Sequence, residues 1–122
     1  MSQTKHIDYA AMVKQFAGDK DLFTRFATRF MGTFEQGLKK IEDGFSAGDA
    51  KLVKIAVHAF KNLVCNFHAH SVYRIIVEME KLAAAGALET AKLKMEEVVK
   101  GTNEIANEIK DLLKHQDPLN LQ

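Results

Sequence analysis

Leu22-Phe23-Thr24-Arg25-Phe26-Ala27-Thr28-Arg29-Phe30-Met31-Gly32-Thr33-Phe34 places an apolar side chain at every third or fourth position, and the pattern continues through Leu38, Ile41 and Phe45. A helix with about 3.6 residues per turn gathers such positions on one side. From Asp19 to about Phe45 the run amounts to roughly seven turns, or about 40 Å. Lys20, Arg25, Arg29, Glu35 and Lys39 take the other side. A phenylalanine stripe can also line a cofactor box. At helical spacing, opposite so many charges, it reads as core.

The neighbouring segments repeat the period. Upstream, Ile7 to Phe16 puts Tyr9, Met12, Val13 and Phe16 on one face, with Asp8 as candidate N-cap and Gly18 as candidate C-terminal glycine. It is short, and we expect it to lie across the end of a larger bundle. Downstream, Gly48 ends the long helix and Asp49 caps the next, expected over about Ala50 to Phe67. A further pattern, from about Ser71 to Ala85, aligns Val72, Ile75, Ile76, Met79, Leu82 and Ala83 and stops at Gly86. The last, Leu88 to His115, aligns Leu88, Ala91, Met95, Val98, Val99, Thr102, Ile105, Ala106, Ile109, Leu112 and Leu113. Gly101 falls inside it at a cost of about 1 kcal/mol relative to alanine, with no reason visible in the sequence. No segment alternates with period two and no hairpin turn is signalled. The expectation is an all-α fold: an up-down-up-down antiparallel four-helix bundle with a short extra N-terminal helix. Residues 7–115 would form this domain and 116–122 a frayed C-terminal tail.

Composition narrows the class of function. A chain of 122 residues, 47% apolar and 27% charged, is one ordinary globular domain, not a disordered segment. A net charge of +1 gives no global attraction to nucleic acid or to an anionic membrane. No apolar run approaches the ~18 residues needed to span a bilayer, and the first residues lack the apolar core of a secretory signal. One cysteine excludes an internal disulfide and fits a reducing compartment, so a cytoplasmic protein is expected. No glycine-rich phosphate loop, Cys-x-x-Cys or His-Glu-x-x-His occurs.

The chemistry concentrates in Ala56-Val57-His58-Ala59-Phe60-Lys61-Asn62-Leu63-Val64-Cys65-Asn66-Phe67. With His58 at 0° on a helical wheel, Leu52, Ala56, Phe60, Leu63 and Phe67 fall at roughly 120–200°, and Val53 and Val64 at about 220–240°. Lys51, Lys54, Lys61, Asn62 and Cys65 fall within roughly 60° of His58, as does Ile55. The histidine is therefore expected on the solvent side, ringed by lysines. Ile55 and Cys65 give that face apolar patches for a docking partner, with Lys51 and Lys54 adding positive potential. An exposed imidazole with a cation one turn away suits temporary attachment of a phosphoryl group, because the nitrogen attacks in line and Lys61 offsets the phosphoryl oxygens. The other histidines carry weaker signals. His6 and His115 lie near the termini. His68 and His70 form an HxH in a link, and a metal set of His58, Cys65 and His68 is conceivable but lacks evident carboxylate partners.

The segment His58-Ala59-Phe60-Lys61-Asn62, preceded by Gly48-Asp49 and followed by Ala-Gly-Ala-Leu-Glu at 85–89, resembles the histidine-containing phosphotransfer (HPt) domain, whose core reads His-x-Leu-Lys-Gly. Ile7-Asp8, Phe16-Ala17-Gly18-Asp19 and the helix Phe23 to Phe45 are similar to that family's amino-terminal half, so the resemblance covers about residues 7–113. It implies a monomeric four-helix bundle that takes a phosphoryl group from a receiver-domain aspartate and passes it to another receiver in a multistep phosphorelay. His58 would be the phosphorylated residue and Lys61 the phosphate-stabilising one. The partners implied are response-regulator receiver domains or a hybrid sensor kinase, with no nucleic acid and no membrane. No cofactor is implied for this chain, since the Mg²⁺ of the transfer would sit on the receiver. Two positions depart from the family: its glycine one turn after the histidine is Asn62, which bears on partner choice and transfer rate, and a glycine common at the helix exit is His68.

Two other readings rival the phosphocarrier. A sensor-kinase dimerisation domain also displays a histidine on a bundle helix, but typically with an acidic residue next, where Ala59 stands here, and with a nucleotide domain for which this chain has no room. The protein is therefore expected to lack autonomous kinase activity. The other rival is an HPt-like adaptor that docks on a receiver or kinase without phosphotransfer. Retention of His58 with Lys61 favours the competent carrier, and Asn62 favours the adaptor.

Overall fold

The structure is a computed structural model that describes residues 6–121. Its helices are α1 (Tyr9–Gln15), α2 (Lys20–Ser46), α3 (Ala50–Val64), α4 (His70–Ala84), α5 (Leu88–Lys92) and α6 (Met95–Leu113), with no strand among the described residues. The four long helices pack in a ring: α2 on α3, α3 on α4, α4 on α6, and α6 back on α2. This is the expected antiparallel four-helix bundle with a short helix ahead of it. None of the helices is long and apolar enough to cross a membrane.

The first three helices start at aspartate caps, of which Asp8 and Asp49 were expected from the sequence. Asp8 accepts from the backbone N–H of Ala11, Asp19 from Asp21 and Leu22, and Asp49 from Lys51 and Leu52, satisfying N–H groups that a helix leaves unpaired. The α2–α3 turn is only three residues long, and Gly48 within it takes the left-handed conformation at φ 63°.

The α2 stripe is the core. Phe23, Phe30, Phe34, Leu38 and Ile41 are buried, and Phe30 stacks on Phe34 with centroids 5.3 Å apart. Phe67, from the end of the α3 segment, meets Phe30 edge-on at 5.3 Å and Phe23 at 6.4 Å. Phe16 brings α1 onto the same cluster through Phe23 and Phe26. The short first helix thus lies over the bundle end that holds the α3–α4 link, where the backbone N–H of Asp8 donates to the carbonyl of His68.

Three expectations need correction. The last pattern is not one helix: after Lys92 the chain tightens, with N–H groups of Leu93 and Lys94 donating three residues back to Thr90 and Ala91. That turn points Leu93 into solvent, at 78% exposure, and lets Lys94 pair with Glu78 on α4 at 3.0 Å. The α3 segment likewise ends its α-helix at Val64 and continues as a 3-10 turn over Cys65–Phe67. Finally, the segment after α6 does not fray. Leu119 is buried, and the Tyr9 hydroxyl donates to the Pro118 carbonyl at 2.6 Å while accepting from the Leu121 N–H at 3.3 Å. The opposite terminus is fastened by buried Glu108, whose carboxylate accepts from the backbone N–H of His6 and Ile7.

Gly101 is explained by packing. A Cβ there would come within 2.6 Å of Val72 Cγ2, so its absence lets α6 approach α4. Gly44 does the same for α2 and α3 with less room to give, since an added Cβ would meet the Val53 backbone N at 3.0 Å and Cα at 3.2 Å. Gly44→Ala would gain about 1 kcal/mol of helix propensity. Overpacking against backbone costs about 1–3 kcal/mol, so the variant is expected to unfold at lower denaturant than wild type in a urea titration.

Candidate functional site: the His58 face

His58 projects from α3 because the rest of that helix fixes its rotation. Val53, Val57, Phe60, Val64 and Phe67 are the buried set, so the centre of the buried arc lies on the valine side of the expected stripe. Leu52, expected within the stripe, is consequently 50% exposed, and Ile55 is 57% exposed. His58 stays outside the core with its side chain 57% exposed, but it leans on α4 and does not stand free.

The neighbour it leans on is Glu80. His58 Nδ1 lies 2.7 Å from Glu80 Oε2, and Lys61 Nζ donates to Glu80 Oε1 at 2.7 Å. One carboxylate therefore spans the histidine and the lysine, each from a different oxygen. Lys61 and Glu80 are mostly covered, with side chains 20% and 16% exposed, while the imidazole is open. Burial pushes the Glu80 carboxyl up, but hydrogen bonds from Lys61 and His58 and their charge outweigh it, leaving the group below its ordinary value. The hydrogen bond that Lys61 donates to Glu80 in turn raises the Lys61 ammonium, against a smaller opposing effect of burial. Both partners are therefore charged at neutral pH.

The remaining expected site residues divide between the two sides of His58. Lys51, Lys54 and Ile55 are exposed on the preceding turns. Asn62 is exposed and lines a groove of about 440 Å3 between α2 and α3, with Arg29, Gln36 and Lys40 on the far wall and Phe60 and Leu63 on the near one. Gly37 opens the α2 wall, since a Cβ there would lie 2.7 Å from the Phe60 ring. Cys65 is exposed, with its thiol donating to the Asn62 carbonyl at 3.2 Å. His68 adopts the left-handed conformation at φ 54°, the geometry for which the family's glycine was the expected residue.

Three of the other histidines, His6, His68 and His70, tie the region around α1 to the rest of the chain. His70 pairs with Asp8 at 3.5 Å, His68 Nε2 lies 3.3 Å from Gln15, and His6 Nε2 lies 3.1 Å from Glu104. Cys65 and His68 share a small pocket with His70 and Tyr73, away from His58. Among the described residues, no three His, Cys, Asp or Glu side chains are grouped so as to hold a metal ion.

No protein-family model matches the chain, and no curated protein matches it in sequence. Among solved structures, histidine-containing phosphotransfer protein B (HptB) from Pseudomonas aeruginosa PAO1 aligns with a TM-score of 0.82 at 20% identity, over 91% of this chain and 97% of that one. The chain has the fold of a histidine phosphotransfer protein. Within that phosphotransfer fold, Glu80 is the site residue that sequence reading missed. A signal for it existed. His58 and Glu80 stand 22 residues apart and are symmetric about Ala69, in the α3–α4 link. In an antiparallel helix pair with equal rise, two residues so placed come level.

The Lys61–Glu80 pair makes a prediction with a defined sign. A carboxyl whose folded value is depressed contributes stability above its unfolded value and loses it as pH falls through the folded one. A double-mutant cycle with Lys61→Met and Glu80→Gln should give a coupling of about 1 kcal/mol at neutral pH. The coupling should persist down to pH 4.5, the ordinary glutamate value, and fade only below it in acid denaturation series.

Proposed function

We propose that this protein is a phosphocarrier: His58 accepts a phosphoryl group from a receiver-domain aspartate and passes it to another receiver in a multistep phosphorelay. The observation that carries this reading is the arrangement at one point of the bundle surface, an exposed imidazole beside a lysine, held by a rigid four-helix frame. The shared fold with a histidine-containing phosphotransfer protein supports it.

The chemistry asks little else of the chain. The imidazole supplies the nucleophile, and the transferring group is stabilised by nearby positive charge. Lys61 shares the Glu80 carboxylate with the histidine, and Lys54 and Lys51 extend positive potential along α3. In this reading the chain acts as a carrier and not as a kinase. The divalent cation used in such transfers belongs to the receiver. The docking face comprises Lys51, Lys54, Ile55 and Cys65, with Leu52 and Asn62 added on the α2 side. In this reading the protein works as a cytoplasmic monomer, meeting its receivers by diffusion.

Incubation with a panel of phosphorylated receiver domains tests the proposal. An acid-labile, base-stable label should appear on the protein and be absent from His58→Gln, with the fold unchanged by circular dichroism. Binding of a receiver with no label from any of them would instead make the protein an adaptor. Lys61→Ala should label more slowly, by about tenfold or more if the lysine supports the charge of transfer. Equal rates would remove Lys61 from the mechanism. Ile55→Asp should weaken receiver binding, read by calorimetry, without altering labelling of the isolated protein by a small phosphoryl donor.

A further inference from the structure

The groove between α2 and α3 has a composition of its own. Leu63 and the buried Phe60 ring form its apolar base, and Ala56, Ala59 and Gly37 flank them with almost no side chain. Around the rim stand exposed Arg29, Gln36, Lys40 and Asn62 and half-buried Asn66. No acidic side chain lines it. Among the described residues, neither rim cation has an ion-pair partner. At about 440 Å3, between two helices of a bundle, the cavity has the size and the mixture of apolar surface with a few polar groups of a small-molecule site.

The polar groups are unevenly placed along it. Gly44 lies against Val53 and Gly37 against Phe60, which fixes the register of the antiparallel pair. Continued outward, that register sets Arg29 at the Asn66 end of the groove and Lys40 at the Ala56 end. The two cations share one side of α2, about 16 Å apart along its axis. Over that length, 440 Å3 makes a trough roughly 5 Å wide. A single hydrocarbon chain fits such a trough, whereas a helix body about 10–12 Å across does not. At the Arg29 end, a guanidinium can donate two parallel hydrogen bonds to a carboxylate, with the Asn66 amide as a further donor.

We propose that this groove binds a small amphipathic carboxylate of the medium-chain acyl class, its head at Arg29 and Asn66 and its chain along Leu63 and Phe60 toward Ala56. The chain takes the apolar base out of water, and the head meets a cation that nothing else in the fold engages. An inorganic anion would leave the base wet, and an uncharged chain would leave the rim unanswered. Asn62 stands one turn after His58, and Ala59 follows it directly, so a bound chain would border the imidazole. Resting on the phosphocarrier reading, the consequence is that an occupied groove obstructs a receiver while leaving the imidazole open to small molecules.

An NMR titration of the isotope-labelled protein with decanoate, below its micelle concentration, tests the site. The amides of Gly37, Ala59, Leu63 and Asn66 should shift along one saturable curve, and those around exposed Leu93 should not shift. Decanol keeps the chain without the charge, and acetate keeps the charge without the chain; each should bind about tenfold or more weakly. Arg29→Gln should weaken decanoate roughly tenfold, while Arg25→Gln, at an exposed position outside the groove, should bind as wild type does. Shifts that do not saturate, that spread to Leu93, or that are equal for decanol overturn the proposal. Groove shifts caused by a receiver domain, with none from decanoate, also overturn it and make the groove a protein-docking surface. With decanoate bound, labelling of His58 by phosphoramidate should proceed unchanged while transfer from a receiver slows severalfold. Equal transfer rates would overturn the obstruction. Because binding is read on the protein alone, failure of the site and failure of the relay are separate results.

Discussion

The interaction on which the rest depends is the burial of Phe67 in the aromatic cluster of α2. Phe67 reaches Phe16, Phe23 and Phe30 from the end of the α3 segment, and it does so only because the last turn tightens after Val64. That tightening brings the chain to His68 in a left-handed conformation, from which α4 returns antiparallel. The position of the turn then sets the register of α3 against α4. Ala69, the last residue before α4, is itself buried, and His58 and Glu80, equally distant from it in the chain, meet each other. An aromatic contact at the bundle end thereby determines which α4 side chain meets His58.

The register matters because the residue it delivers is a carboxylate. Covering Glu80 costs desolvation, and a lone acid there would be driven towards its neutral form. Two donors at 2.7 Å reverse that. Lys61 supplies a full charge and His58 a ring N–H, so the acid remains ionised although largely out of water. The dependence runs both ways: the lysine stem lies against the bundle because the carboxylate anchors its head, and the imidazole is held at one edge while the rest of the ring faces solvent.

The bundle was legible in the sequence because its information is local. The spacing of Phe23, Phe30, Phe34 and Leu38, and the caps Asp8 and Asp49, each declare themselves within a few residues. His58 and Lys61 were legible for the same reason, being one turn apart on one helix. What escaped depended on contacts between distant segments. Gly101 has a cause only beside Val72, Tyr9 ties down Pro118 across the length of the chain, and Glu80 is an ordinary exposed-face glutamate until α4 is set against α3. Leu52 was misplaced because the wheel assumed a stripe centred between the leucines and valines, whereas the close approach at Gly44 and Val53 turns the valine side inward.

The two sides of His58 are consequently unlike. On the α4 side Glu80 and Lys61 satisfy one another and occupy Nδ1, so little there is free to engage a partner. On the α2 side lie exposed Ile55 and Leu52 and a groove edged by Arg29 and Lys40, with no acidic residue in its lining. Asn62, the departure from the family's glycine, belongs to this second side. Its amide therefore faces the groove and not the contact between the imidazole and the carboxylate. The imidazole is thus bordered by α4 and its carboxylate on one side and by Asn62 and the α2 groove on the other.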